Sequence, residues 1–272
     1  SYHINMKKWK IVSFILMLVI VVLVGLYLFI FRWERVTYFE GTQDEYEALE
    51  DDNGMSGSYY DASCSVAGIN MHGEIMTYLT ETEYTEDYVS ADDILAQLEE
   101  AEDNQNIKAV ILEIDSYGGM PVAAEEISNR ISSMEKPVVA VIRSGGTSAA
   151  YWVASAADRI FASELSDIGS IGVTMSYVDE SKINEMDGYT WNSLSTGKFK
   201  DSGSDQKPLT AEERAIFERD IQLTFEKFIT TVAENRGLSI EKVLALADGS
   251  TMMGKQALAN GLIDAVGSIS DA

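Results

Sequence analysis

Two short segments hold residue types suited to acyl-transfer chemistry, and each follows a strongly apolar run. The first is Asp115-Ser116-Tyr117-Gly118-Gly119, and the second is Ser144-Gly145-Gly146-Thr147-Ser148, which leads into Ala149. A glycine turn after a buried strand exposes backbone at the carboxyl end of a sheet, where open α/β folds place their ligands. A serine at a helix N-terminus faces free N–H groups that stabilise the oxyanion of a tetrahedral intermediate. Ser148 has that setting. On local sequence alone, ordinary N-capping is the first reading of Ser148 and nucleophilic attack the second. Gly118-Gly119 likewise reads as a tight turn.

The usual base for such a serine is histidine, and the chain has only His3 and His72. His3 lies ahead of a long apolar segment. His72, at the end of an expected strand, reads as a structural or partly exposed residue, so a histidine triad is poorly supplied. Carboxylates are plentiful, but no close Asp/Glu pair sits in an apolar setting that would raise one pKa, so glycosidase chemistry is not indicated. The single cysteine, Cys64, makes neither an internal disulfide nor a metal cluster and reads as a small loop or edge residue.

The elements that must position these residues alternate between strand and helix. A short strand is expected around Val66–Ile69, a helix over Ala91–Asp103, and a buried strand over Ile107–Asp115. Pro121 can open a helix whose apolar face is Val122, Ile127, Ile131 and Met134, ending before Pro137. Val138–Ile142 is the next strand, Ala149–Ala157 a buried helix, and Arg159–Ala162 and Ile171–Val178 two further strands. Thr210 and Glu213 form a capping box for a long helix with a buried stripe of Phe217, Ile221, Phe225, Phe228 and Val232, closed by Gly237. Two short helices follow, near Ile240–Leu246 and Lys255–Asn260. This alternation predicts an α/β fold of parallel βαβ-like units.

Residues 11–31 are apolar apart from Ser13, Gly25 and Tyr27, and 21 helical residues span about 30 Å, the thickness of a bilayer's hydrocarbon core. The segment reads as a transmembrane signal anchor. Lys7, Lys8 and Lys10 before it put residues 1–10 in the cytoplasm, with the rest of the chain outside. No small-x-small site follows the apolar run, so an uncleaved anchor is preferred to a removed signal peptide. Residues 1–5, ahead of Met6, receive no function. Residues 32–63 read as an acidic linker and 64–272 as the extracytoplasmic domain. From Val36 to Ile107 there are nineteen acidic residues and no Lys or Arg. Solubility is the plain reading of that run, and attraction of cationic peptide ends the sharper one. With 46% apolar residues the 272-residue chain can bury one core of that size, and its net charge of −24 excludes the basic face that nucleic acid needs.

The chain resembles the bacterial signal peptide peptidase A family. The matching stretches are Ser116-Tyr117-Gly118-Gly119, Thr147-Ser148-Ala149-Ala150-Tyr151 and Val153-Ala154-Ser155-Ala156-Ala157-Asp158. They continue with Ile168-Gly169-Ser170-Ile171-Gly172-Val173, Gly197-Lys198-Phe199-Lys200-Asp201 and Gly261-Leu262-Ile263-Asp264. Any one motif is weak; the ordered set, over residues 66–268, is strong. The resemblance implies a ClpP/crotonase-like ββα superhelix behind an N-terminal transmembrane helix. It also implies a Ser–Lys dyad with Ser148 as nucleophile and Lys200 as general base. Lys198 is the runner-up base, while Lys182 and Lys207 are expected to face solvent. The amides of Gly119 and Ala149 would form the oxyanion hole beside Gly118, and the Ser170 hydroxyl would orient the lysine amine.

An ordinary lysine, with a pKa near 10.4, is almost wholly protonated at pH 7, and a shift of about 3 units costs roughly 4 kcal/mol. The base is therefore expected to lose its water when the chain assembles. The resemblance implies a homo-oligomer, an octameric ring on the lipid bilayer, with the dyad completed between neighbours. It implies signal-peptide or other membrane-derived peptide substrates and no metal or cofactor. Tyr117 stands where the family has proline, and Ala149-Ala150 where it has glycines. The added methyls narrow the room beside the nucleophile, which leaves an inactive membrane scaffold as an alternative. A peptidase for other membrane-protein segments is the first alternative, ahead of the scaffold, and a crotonase-like acyl-CoA enzyme a weak third.

Overall fold

In the computed structural model, which describes residues 65–80 and 87–272, a parallel sheet carries both glycine turns. Its strands include β1 (Val66–His72), β4 (Ala109–Ser116), β5 (Val138–Thr147), β6 (Arg159–Ala162) and β9 (Ala265–Val266), side by side in that order. Strand β1, at one edge, alternates strictly: Ala67, Ile69 and Met71 are buried while Gly68, Asn70 and His72 face solvent. That period of two is the mark of a strand packed on one face. In β4, Val110, Leu112 and Ile114 are fully buried and the alternate residues are half-buried. A small parallel pair, β2 (Glu74–Met76) and β3 (Tyr88–Ser90), stands beside the sheet and touches the first glycine turn through a bridge between Ile75 and Gly119.

The helices cover the sheet. Helix α1 (Ala91–Asp103) is capped by Ser90, whose hydroxyl accepts from the Asp93 N–H. Helix α2 (Pro121–Ser132) starts on proline and buries Ala123, Ala124, Ile127, Ser128 and Ile131. Val122, expected on the buried face, is 53% exposed, because helical spacing puts its smaller neighbours Ala123 and Ala124 toward the core instead. Helix α3 (Ala149–Ser155) is buried along its whole length. A short helix, α4 (Ser181–Met186), precedes the long α5 (Ala211–Arg236). Helix α5 opens on the expected Thr210–Glu213 capping box and closes on Gly237, in the left-handed conformation that glycine adopts without strain. Then come α6 (Ile240–Leu246), β8 (Thr251–Met253) and α7 (Gly254–Asn260).

Three expectations are corrected. Ile171–Val178 is not a strand; the pairing falls earlier, on β7 (Asp167–Gly169), which lies between the end of β5 and antiparallel β8. The segment Ile171–Val178 has no ladder partner, and Met175, Tyr177 and Val178 are exposed. The stripe on α5 is buried only in its C-terminal half, at Phe228 and Val232, joined by Ile229 and Ala233; Phe217, Ile221 and Phe225 remain partly exposed. Strand β5 runs five residues past Ile142, because its glycines let it change partners. Val139–Ile142 pair with β6, whereas Gly145–Thr147 pair with β7.

The segments expected as cytoplasmic N-terminus, anchor and linker, with His3 and Cys64, lie outside the described residues. Among the described residues no helix is long and apolar enough to cross a membrane.

Candidate active site

The parallel register brings the two glycine turns together at the carboxyl ends of β4 and β5. Ser116 pairs with Gly146 across a register shift that begins after Ile114. Three bonds lace the turns: the Gly145 N–H donates to Asp115 Oδ1 (3.1 Å), the Thr147 hydroxyl to the Tyr117 carbonyl (3.0 Å) and the Gly118 N–H to Ser116 Oγ (3.2 Å). The Tyr117 ring, 65% exposed, lies over Gly145, where an added Cβ would meet ring carbons at 2.8–3.2 Å.

Ser148 stands at the N-cap position of α3 but does not cap the helix with its side chain. Its backbone has φ 53° and ψ −127°, far from the extended conformation of a capping residue, and its side chain accepts nothing from the helix. A non-glycine residue with positive φ is strained and persists only where its surroundings impose it. Here the Ser148 N–H donates to the Gly169 carbonyl (2.8 Å), and the Ser148 carbonyl accepts from Trp152 (3.0 Å). Among the described residues the Ser148 hydroxyl has no hydrogen-bond partner. The same holds for the N–H groups of Gly119 and Ala149, the two amides expected to hold an oxyanion. An added Cβ on Gly118 would lie 2.8 Å from Ser148 Cβ and 3.2 Å from both Ser148 Oγ and the Ala149 nitrogen, so the turn backbone reaches the serine itself. Because α3 has only seven residues, donation here comes from local N–H groups more than from a long helix dipole.

The serine opens onto a cleft of about 620 Å³. Gly119, Ala149 and Ser170 line it with Ser148, and Met120, Trp152, Val173, Ile221, Phe225 and Phe228 give it an apolar wall. Ile221 and Phe225, from the exposed half of the α5 stripe, are therefore part of a cavity wall, whereas Phe217 lies beside Gly203. Sequence reasoning placed these aromatic residues in the core; the available signal was a stripe longer than α3 and α6 can cover. Trp152 stacks on Phe228, ring centroids 4.8 Å apart. Ala149 lines the cleft, but Ala150 is fully buried in the core, so only one of the two added methyls faces a substrate. Among the described residues Asp248 is the one ionisable side chain on the lining, its pKa lowered chiefly by the Ser250 hydroxyl and then by the Ser250 N–H.

Ser170 shares the cleft and also has positive φ, 47°. Its hydroxyl donates to the Gly249 carbonyl (3.0 Å) and not to a lysine. Lys200 is exposed, lies outside the cleft lining, and its amine has no partner among the described residues. One chain therefore does not bring Lys200 to Ser148. Lys182 is exposed as expected. Lys198 pairs at the surface with Glu212 (2.6 Å). Lys207 corrects the expectation of a solvent-facing residue: it is half-buried between Asp201 (3.2 Å) and Glu213 (2.6 Å), held there by two carboxylates. Those bonds hold its pKa above the ordinary lysine value, Glu213 contributing most. Glu213 is lowered to about 2, first by the Lys207 bond and then by the Thr210 N–H. His72 sits at the surface, 3.6 Å from Glu113, and lines no cavity with Ser148.

The remaining motifs are latches. Asp158 Oδ2 accepts from the Val138 N–H (2.8 Å), fixing β5 where it starts. Asp264 accepts from the Ile160 N–H and from Arg236, both at 2.8 Å, and the Leu262 carbonyl accepts from the buried Tyr151 hydroxyl (2.8 Å) on the nucleophile's helix. Burial drives the pKa of that hydroxyl up.

Comparison with known proteins adds a family to this geometry. The model of peptidase family S49 matches residues 130–272. The chloroplastic serine protease SPPA of Arabidopsis thaliana is 32% identical over 68% of this chain and 28% of its own. Protease 4 of Haemophilus influenzae is 31% identical over 79% of this chain and 34% of its own, and that of Salmonella typhi 30% over 89% and 38%. Two shorter relatives, from Methanocaldococcus jannaschii and Enterococcus faecium, are spanned over 57% and 61% of their lengths. A solved ClpP1 mutant of Listeria monocytogenes aligns with 75% of this chain and 92% of its own, at 18% identity and a TM-score of 0.49.

Proposed function

This chain belongs to peptidase family S49, and from that premise we propose that it is a membrane-anchored serine endopeptidase acting through Ser148 and Lys200. The observation that carries the reading is Ser148 itself: a strained serine with an uncommitted hydroxyl beside two uncommitted amides. In the proposed reaction a neutral Lys200 amine takes the hydroxyl proton while Oγ attacks the scissile carbonyl. The developing oxyanion is received by the N–H groups of Gly119 and Ala149. The protonated amine then gives its proton to the leaving nitrogen, and water hydrolyses the acyl-enzyme.

Lys200, exposed and outside the cleft lining in one chain, favours a dyad completed by a neighbouring copy. Burial of that amine between copies would remove its water and favour its neutral form. A homo-oligomer follows from that requirement; its octameric ring and the finer description of the fold as a ClpP/crotonase-like superhelix are what the family resemblance implies. The apolar cleft suits an apolar side chain next to the scissile bond, consistent with remnant signal peptides or other membrane-derived segments as substrates. The lipid bilayer as partner rests on the apolar run of residues 11–31, and the extracytoplasmic placement on Lys7, Lys8 and Lys10 ahead of it.

The test is labelling with a serine-reactive fluorophosphonate. The full chain should be labelled, and the Ser148→Ala and Lys200→Ala variants should not. Equal labelling of Ser148→Ala would remove Ser148 as the nucleophile.

A further inference from the structure

Among the described residues the Lys200 amine makes no hydrogen bond or ion pair, so its position is set through the backbone around it. The loop that carries it is fastened to the first turn of α5 at several points. The Ser202 hydroxyl donates to Glu213 Oε1 (3.2 Å). The Lys207 amine bridges Asp201 Oδ1 (3.2 Å), on the residue next to Lys200, and Glu213 Oε1 (2.6 Å). Glu213 Oε2 in turn accepts from the N–H (2.8 Å) and hydroxyl (3.0 Å) of Thr210. Glu213 is 2% exposed, and each carboxylate oxygen has at least two donors. A second tie, Lys198 to Glu212, lies at the surface and is worth little.

We infer that Glu213 and Lys207 are positioning residues for Lys200: their ion pair holds the 197–207 loop in the shape that presents the amine before a second copy docks. The inference rests on the proposed Ser148–Lys200 dyad and adds residues the dyad does not contain. The physical need is plain. A base supplied across an interface is ordered by the loop that bears it, and proton transfer tolerates little error in position. A helix start is a stable base for such a loop, because the capping box already fixes the Glu213 carboxylate. Lys207 then extends that fixed point to Asp201.

The test compares Lys207→Met, Lys207→Arg and Glu213→Gln with the parent chain, using a peptidyl-leucine aminomethylcoumarin substrate. Glutamine at this position still closes a capping box, so Glu213→Gln removes the charge that grips Lys207 without removing the cap. Both Lys207→Met and Glu213→Gln should lower kcat by roughly 10- to 100-fold with KM within about twofold, the signature of a misplaced reacting group. Lys207→Arg should recover most of the loss. Two results would overturn the inference: kcat within twofold of the parent in the folded variants, or losses that match the unfolded fraction seen by circular dichroism. Lys200→Ala, run alongside, separates the layers. If it abolishes turnover while the Lys207 and Glu213 variants keep theirs, the inference alone fails. If Lys200→Ala turns over normally, the dyad fails and the inference with it.

Discussion

Substituting Gly118 with alanine tests whether the two glycine turns form one machine. Gly118 has φ 119°, so any side chain there is strained, at about 1–3 kcal/mol. For a domain of this size that lowers Tm by roughly 2–12 °C and leaves the protein folded at 25 °C. The new methyl would stand 2.8 Å from Ser148 Cβ, about 0.6 Å short of ordinary van der Waals contact. Either the turn or the serine must retreat by that amount, which carries the hydroxyl away from the Gly119 and Ala149 amides. Misplacement on this scale costs roughly 10- to 100-fold in rate. The assay is the rate of fluorophosphonate labelling and of peptide cleavage, with the folded fraction followed by circular dichroism. Gly119→Ala is the contrast, because its methyl would lie 2.1 Å from the Ile75 carbonyl oxygen and 2.5 Å from the Ile75 nitrogen. It should disturb the bridge to β2 and cost more stability. A folded Gly118→Ala protein that reacts at the parent rate would refute the argument that this backbone governs Ser148.

Three further outcomes are expected. Trp152→Ala removes the stack on Phe228 and should cost about 3–5 kcal/mol in urea denaturation, whereas Trp152→Phe should cost far less, since the indole N–H has no partner. Asp264→Ala removes the acceptor of Arg236 Nη2 and of the Ile160 N–H, leaving Arg236 only its Nε bond to the Gly261 carbonyl, and should cost about 1–3 kcal/mol, again by urea denaturation. Glu213 has its pKa lowered from 4.5 to about 2, so the folded state prefers its ionised form. Its contribution is present above pH 4.5 and lost as pH falls toward 2, so the Tm gap between parent and Glu213→Gln should be constant at neutral pH and close across that window.

Local signals were legible wherever one element explains itself. Pro121, the Thr210–Glu213 box and Gly237 marked helix ends, because a helix end is set by near neighbours. The two glycine turns were legible as exposed backbone. Their contact was not, because it depends on the pairing of Ser116 with Gly146. Ile171–Val178 shows the opposite failure: its composition fits a strand, but a strand exists only where a partner offers its ladder, and β8 offers that to Asp167–Gly169. The stripe on α5 was read as core because periodicity reports which residues share a face, not how much of that face is covered. Lys207 was assigned to solvent for a related reason. Nothing nearby in sequence announces that Asp201 and Glu213 close around it.

The most direct test of the dyad mixes two inactive proteins. Ser148→Ala keeps the amine and Lys200→Ala keeps the hydroxyl, so a ring assembled from equal amounts of both would rebuild about a quarter of its sites if each site draws on two copies. The account predicts no turnover of the peptidyl-leucine substrate by either variant alone and recovered turnover after mixing and reassembly. Co-assembled rings that remain inert, or a Lys200→Ala protein that is active unaided, would contradict it.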